Sequence, residues 1–124
     1  MGKFVIKETK TGYTFNLVAG NGEVIGVSEV YSALASCKNG CESVIRNAVN
    51  AGIEDQTADP VVTAKCPKFE IYLDKAGEYR FRLKASNGEP ILASESYKAK
   101  ASCENGIESV KRNAADAEIV VKED

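Results

Sequence analysis

Apolar and polar residues alternate in three short segments of each half of the chain. In the second half, Tyr79, Phe81 and Leu83 alternate with Arg80 and Arg82, which is the period-two pattern of a strand with one buried face. The segments before and after it follow the same pattern, and Ala-Gly-Glu and Asn-Gly turns separate the three. The pattern predicts three antiparallel strands in each half.

The second turn allows two registers. A two-residue Asn87-Gly88 loop would place Leu83 opposite Leu92 and turn Ile91 to the polar face. A three-residue loop with a left-handed Gly88 in a bulge places Leu83 opposite Ile91 and Phe81 opposite Ala93. Because a one-residue slip exchanges the two faces of a strand, burial of the apolar residues favours the three-residue loop.

A helix is predicted after the third strand of each half. Its apolar positions in the second half are spaced i, i+4, i+7 and i+11, as on one face of a helix. These positions are Cys103, Ile107, Val110 and Ala114. Ser36 and Ser102 are the predicted N-caps. Gly40 and Gly106 indicate a close approach to the sheet, since glycine inside a helix costs about 1 kcal/mol relative to alanine.

The end of each helix is predicted from an asparagine. Asn47 and Asn113 suit a helix C-terminus, where a left-handed residue is useful. Short apolar segments follow, around Ile53 and at 118–122, and each is a candidate fourth strand.

The two halves are copies of one another. Residues 13–51 and 79–117 align at an offset of 66 with 24 of 39 positions identical. Residues 1–60 are therefore predicted to form one repeat and residues 61–124 a second. The predicted fold is α+β: a tandem duplication in one compact, pseudo-two-fold domain, with both helices on one face of an antiparallel sheet.

The repeated segments carry a specific motif. LKASNGEPILASESYKAKASCENGIESVKRNA and LVAGNGEVIGVSEVYSALASCKNGCESVIRNA resemble the YegP-like family of small, mostly bacterial proteins. The resemblance implies a β3-α-β unit, present as tandem repeats or paired subunits, with the C-terminal strands exchanged between units in one sheet. The first copy departs from the motif at Cys41 and in its less basic second strand. The resemblance implies no activity.

Composition excludes several functional classes. The net charge of −2 leaves no basic footprint for nucleic acid or an anionic membrane, and no apolar run is long enough to span a bilayer. Four cysteines without a signal-peptide core indicate reduced thiols, so a cytoplasmic location is predicted. The intact chain is predicted to be a monomer.

The absence of histidine removes the commonest general base and metal ligand. No phosphate-binding motif is present, so we predict no catalytic residues and no cofactor. Cys37 and Cys41 are spaced i, i+4 and could share a metal, but a closed site needs about four ligands. The preferred interpretation is that Cys41 fills the core position of Ile107, and no metal site is predicted.

A polar set recurs in both repeats and is the first candidate site. The residues are Ser28, Glu29, Tyr31, Ser43, Arg46 and Asn47, and their copies Ser94, Glu95, Tyr97, Ser109, Arg112 and Asn113. One hypothesis makes each set a binding site for a small anionic ligand. The other makes it a structural corner, in which each glutamate pairs with the arginine and each tyrosine plugs the core.

A basic stripe on the second strand of the second repeat is another candidate. Arg80, Arg82 and Lys84 would lie on the outer face with Tyr72 beside Arg82, where nucleic acid could stack and pair. The predicted register, however, places Glu70 opposite Lys84 and Asp74 opposite Arg80. Nucleic-acid binding therefore ranks below ligand binding.

The last candidate is an apolar row on the outer face of the first repeat. The predicted register aligns Val5, Val18 and Val24 across three strands. Such a row is either covered by another part of the molecule or available to a protein partner. The leading functional prediction is a non-catalytic cytoplasmic interaction module with an unidentified protein partner.

Overall fold

The computed structural model describes residues 2–122, and in these residues each repeat folds as three antiparallel strands, a helix and a fourth strand. The first repeat contains β1 (Lys3–Glu8), β2 (Tyr13–Val18), β3 (Val24–Val27), α1 (Leu34–Ala48) and β4 (Gly52–Asp55). The second contains β5 (Lys68–Leu73), β6 (Tyr79–Lys84), β7 (Pro90–Ala93), α2 (Lys100–Ala114) and β8 (Glu118–Val121). The predicted α+β duplication is confirmed.

All eight strands form one sheet, in the order β4-β5-β6-β7-β3-β2-β1-β8. The repeats meet at its centre, where Val27 of β3 pairs with Ala93 of β7. Strand β4 pairs in parallel with β5 of the other repeat, and β8 pairs in parallel with β1. Each repeat therefore supplies an edge strand to its mate, and neither three-stranded sheet is complete alone.

Both helices pack on the same face of this sheet, and each contacts strands of both repeats. Phe4 and Phe69 are fully buried there, in one core shared by the repeats. The predicted helix stripe is confirmed, since its four members in α2 have no exposed surface. Cys41 is likewise fully buried, at the position that Ile107 occupies in α2.

The helices begin three residues earlier than the capping prediction. Ala33 and Ala99 are the N-caps, and neither cap receives a side-chain hydrogen bond. Ser36 and Ser102 thus lie inside the first turn, so their prediction as N-caps is wrong. The apolar stripe extends to the first turn through Leu34, which packs against the core, and this packing replaces the cap in setting where α1 begins.

The three-residue turn is correct, but the register beyond it is not. Gly88 has a positive φ of 85°, and the Ala85 N–H donates to the Glu89 carbonyl across the predicted loop. A second bulge then shifts the register, so that Leu83 pairs with Leu92 and not with Ile91. Ala93 pairs with Arg82, so its predicted pairing with Phe81 is also wrong. The bulge allows both Ile91 and Leu92 to be buried, which a regular alternation would forbid.

The first turn of each repeat is longer than predicted. In the first repeat Thr9 closes it, because the Thr9 N–H donates to Gly12 O at 2.7 Å and Thr9 Oγ1 accepts from the Gly12 N–H at 3.1 Å. Val18 consequently pairs with Lys3, and the predicted alignment of Val5 with Val18 is wrong. The shift of two residues keeps every side chain on its predicted face.

The matching shift in the second repeat changes the predicted pairs there. Glu70 lies opposite Arg82 and not opposite Lys84, and Tyr72 lies opposite Arg80. Asp74 accepts hydrogen bonds from the backbone N–H groups of Ala76 and Glu78, which organises the longer turn.

Candidate functional site

Two members of the repeated polar set have structural roles. Ser28 Oγ accepts a hydrogen bond from the Phe15 N–H at 2.9 Å and donates to the Glu29 carbonyl at 2.7 Å. Ser94 makes the same two contacts in the second repeat, at 2.9 and 2.8 Å. Because each hydroxyl is a donor and an acceptor at the strand end, it satisfies the backbone groups there.

The repeated tyrosines close one end of the core, as the structural hypothesis predicted. Tyr31 stacks on Phe15 with ring centroids 6.1 Å apart, and burial raises the pKa of its hydroxyl. A Cβ at Gly40 would lie within van der Waals radii of that hydroxyl oxygen. Tyr97 and Gly106 repeat the arrangement, so the helical glycines make room for tyrosines as well as for the sheet.

The asparagines connect the repeats. Asn47 Nδ2 donates to the Ser43 carbonyl at 2.7 Å, while its Oδ1 accepts from Ser86 Oγ at 3.0 Å in the other repeat. Asn113 Oδ1 accepts from the Gly20 N–H at 3.3 Å. Neither asparagine is left-handed, so that prediction is wrong. Each is held by contact with a hairpin turn of the other repeat, which the sequence order does not reveal.

The predicted glutamate–arginine corner does not form. Within residues 2–122 no ion pair joins Glu29 to Arg46 or Glu95 to Arg112, and all four side chains are exposed. Glu29 lies at the outer face, whereas Arg46 lines a groove of about 440 Å³ beside the turn that carries Ser86. The two side chains lie on different sides of the molecule, because the chain turns between the end of β3 and helix α1.

The outer face of the sheet, away from the helices, brings together the other predicted residues. One lateral row crosses all eight strands, with one residue from each. In sheet order it is Glu54, Glu70, Arg82, Ala93, Val27, Asn16, Val5 and Val120. The row is charged at one end and apolar at the other, so we call β4–β5–β6–β7 the charged half and β3–β2–β1–β8 the apolar half.

A network of ion pairs fills the charged half. Glu70, with a side chain only 3% exposed, contacts Arg82 Nε at 2.6 Å, Lys68 Nζ at 3.2 Å and Lys84 Nζ at 3.4 Å. Burial opposes ionisation of Glu70, but hydrogen bonds from Arg82 and Lys68 outweigh it and lower its pKa. Asp74 pairs with Arg80 at 2.8 Å. All three cations of the basic stripe are thus partnered, one more than predicted.

The segment between the repeats covers part of this network. The Ala64 N–H and Gln56 Nε2 each donate to the Glu54 carboxylate at 2.9 Å, and Lys68 Nζ contacts it at 2.8 Å. These hydrogen bonds, with that from Lys68 the largest effect, lower the pKa of Glu54 from 4.5 to about 2. Residues 56–64 therefore fold back over β4 and help to bury charges at the outer face.

Glu54 and Lys68 were not predicted as site residues, because the register between β4 and β5 does not follow from the apolar pattern. The available signal was the pair of acids, Glu54 and Asp55, directly after Ile53 in the candidate fourth strand. Only the parallel pairing of β4 with β5 places Glu54 beside Glu70 and within reach of Lys68.

The apolar half carries the predicted valines. Val18 pairs with Val24 as predicted, Val5 pairs with Val120, and all four are half-buried. Val27, at the centre of the sheet, is 39% exposed. A sheet face open to water usually carries polar residues, so this valine cluster is the less expected part of the outer face.

A pocket of about 270 Å³ lies where the two halves meet. It is lined by the paired residues Val27 and Ala93, by Tyr72 and Arg82 of the charged half, and by Glu29, which follows β3. Arg82 lies over the Tyr72 ring, with its guanidinium carbon 4.6 Å from the ring centroid. The prediction that Tyr72 lies beside Arg82 is therefore confirmed. The pocket therefore brings Glu29 of the repeated polar set together with Arg82 and Tyr72 of the basic stripe.

Residues 2–122 contain neither a metal-binding cluster nor a membrane-spanning helix. No group of three or more histidine, cysteine or carboxylate side chains there could hold a metal ion. Burial raises the pKa of Cys41 to about 12 and that of Cys103 to about 11, which keeps both as thiols at neutral pH. Neither described helix is long and apolar enough to cross a bilayer.

Comparison with known proteins gives one family. A family model described as a domain of unknown function (DUF1508) matches residues 9–55 and 74–120, once in each repeat. A UPF0339 protein of Pseudomonas aeruginosa is 37% identical over 116 residues, which covers 93% of this chain and 92% of that protein. A shorter UPF0339 protein of Agrobacterium fabrum is 70% identical over 53 residues, 43% of this chain and 86% of the relative.

A solved structure agrees with the fold. The solution structure of yegP from E. coli, a protein of unknown function, has a TM-score of 0.76 and 30% sequence identity, covering 98% of this chain and 92% of that one. The resemblance inferred from the repeated motif is therefore confirmed. The short relative matches the length of a single repeat, so the unit also exists unduplicated.

Proposed function

The chain belongs to the DUF1508 family, and from that premise we propose that it is a non-catalytic, cytoplasmic interaction module that binds a protein partner on the apolar half. The observation that carries the proposal is the lateral row across the sheet. Its charged end is internally paired and partly covered by the chain, whereas its other end presents Val5, Val120 and the exposed Val27.

The two halves of the outer face differ in the free energy that a protein partner could gain by covering them. The charged half has little to gain from an apolar protein surface, because such a surface would desolvate its ion pairs without adding new ones. The valines gain free energy when a partner removes them from water, at about 25 cal/mol per Å². A partner with an apolar, weakly charged contact surface fits this half, as in the centres of protein interfaces.

The alternative functions have weaker geometric support. A small anionic ligand at the first corner would need Glu29 and Arg46 around one space, but these two residues line different cavities. Nucleic acid would have to compete with Glu70 and Asp74 for the basic stripe. Both remain below the protein partner as proposals.

Site-specific crosslinking tests the proposal. A photoreactive residue at position 18 should capture a defined protein from cells, whereas the same residue at position 84 should not. The captured protein is then purified and titrated with the chain. We expect Val18→Lys, which copies Lys84 into the apolar half, to weaken binding at least roughly tenfold, the effect of about 1.4 kcal/mol.

The control is Pro90→Lys, since Pro90 is the charged-half residue that corresponds to Val24. Val18→Lys should change the free energy of unfolding by less than about 1 kcal/mol, because Val18 is only half-buried. Equal weakening by Pro90→Lys, or unchanged binding by Val18→Lys, contradicts the proposal. A stability loss of several kcal/mol would instead show that Val18 belongs to the core.

A further inference from the structure

We propose that the central pocket binds a small zwitterion, an α-amino acid with a short apolar side chain. This site goes beyond the protein interaction proposed above and does not rest on it. The pocket has an apolar lining, a basic wall where Arg82 is hydrogen-bonded through Nε only, and an acidic wall where Glu29 makes no ion pair within residues 2–122.

Arg82 forms the basic wall and is held in place before any ligand arrives. Its Nε donates to Glu70 at 2.6 Å, and its guanidinium lies over the ring of Tyr72. Within residues 2–122 its terminal Nη groups have no hydrogen-bond partner. A guanidinium that is fixed through Nε and Tyr72 retains donors for a carboxylate, with little side-chain entropy left to lose.

The charge of the surrounding network also favours an anion. Glu54 and Glu70 face three cations, Lys68, Arg82 and Lys84, so the group carries one positive charge in excess. A ligand carboxylate at Arg82 would neutralise this excess. The Glu70 carboxylate cannot offset the excess positive charge, because it is nearly buried and already contacts all three cations.

Glu29 forms the acidic wall. It lines the same pocket as Arg82, yet no ion pair of 4.0 Å or less joins them or connects Glu29 to any other residue in the described chain. Two opposite charges that face one space without touching fit a ligand that carries both an ammonium and a carboxylate.

Size and the pocket's centre determine the rest of the ligand. About 270 Å³ is just below the range of pockets for drug-sized molecules. Val27, Ala93 and Pro90 provide an apolar surface for a short aliphatic side chain.

The pseudo-equivalent place beside Glu95 provides a matched control. There Asn16 stands where Arg82 stands in the other half, and Lys7 replaces Tyr72. That place has no fixed guanidinium, so the inferred ligand should not bind beside Glu95.

The test is an NMR titration of the intact chain with L-alanine, L-valine and L-leucine, following the methyl groups of Val27 and Ala93. We expect saturable shifts at these methyls with at least one of the three, at millimolar or lower concentration. N-acetyl-L-valine lacks the ammonium, and L-valinamide lacks the carboxylate. Each derivative should bind at least roughly tenfold more weakly than L-valine.

Variants separate the two walls. Glu29→Gln should weaken binding roughly tenfold, whereas Glu95→Gln should leave it unchanged. Arg82→Lys preserves the charge beside Glu70 but removes the paired donors, and should weaken binding in a chain whose spectrum remains folded. The inference is overturned if none of the three amino acids gives saturable shifts, if the acetyl or amide derivative binds as tightly as L-valine, or if Glu95→Gln weakens binding as much as Glu29→Gln.

Discussion

On the helix-facing side of the sheet, the two repeats present almost the same residues. Phe15 and Leu17 in β2 occupy the positions of Phe81 and Leu83 in β6, and all four are fully buried. On the outer face the same strands differ, since Asn16 in β2 corresponds to Arg82 in β6.

The difference shows what each face has to do. The inner residues must interlock with both helices at the density of a protein interior, which leaves few acceptable side chains. The outer residues need only be compatible with a strand and with whatever covers them. One half has acquired an ion-pair network under the connecting segment, and the other has acquired valines.

The largest expected effect comes from separating the halves. Residues 67–124 alone would leave β8 without β1 and β5 without β4, so we expect this fragment to unfold or to form a two-fold dimer in which β8 pairs with β5 of a second copy. Sedimentation measures which occurs. A stably folded monomeric fragment would mean that the halves are independent and that their comparison within one sheet has no basis.

The next effect tests the equality of the inner faces. Phe15→Ala and Phe81→Ala should each cost about 3–5 kcal/mol in the free energy of unfolding, because both rings are fully buried and stack on a tyrosine. Urea unfolding of the two variants provides the measurement. If one costs less than half as much as the other, the inner faces are not equivalent.

A smaller effect concerns the charged half of the outer face, where Glu54 should make the free energy of unfolding depend on pH. The folded pKa of Glu54 is lowered to about 2, so its carboxylate contributes stability above pH 4.5 that is lost as the pH falls from 4.5 towards 2. Glu54→Gln removes that contribution. We therefore expect the variant to lose less stability than the original chain between neutral pH and pH 3, as measured by urea unfolding. Equal losses would show that the network does not hold Glu54 ionised.

The smallest effect concerns an inner position where the copies differ, Cys41 in α1 and Ile107 in α2. Cys41→Val is close to volume-conserving and should cost less than about 1.5 kcal/mol, similar to the loss of one methylene in Ile107→Val. Thermal unfolding with and without stoichiometric zinc completes the test. Strong stabilisation by zinc that disappears in Cys41→Val would give the thiol a metal-binding role in place of a packing role.

The corner residues illustrate the limit of sequence reasoning at the site. The repeated Ser-Glu-x-Tyr pattern identified the right positions, and the tyrosines have the predicted packing role. The pairing of Glu29 with Arg46 was wrong because spacing along the chain cannot tell on which side of a sharp corner a side chain points.

The periodicity of the chain and its internal duplication determined the strands, the helices, their buried faces and the α+β fold by themselves. These features depend on local alternation and on repeated residues, which can be counted without coordinates. The tertiary structure alone decided the bulge at Ile91, the longer first turns and the positions of Glu54 and Lys68. Each of these depends on contacts between segments that are distant in sequence, where a shift of one or two residues changes which charges meet although the apolar pattern stays the same.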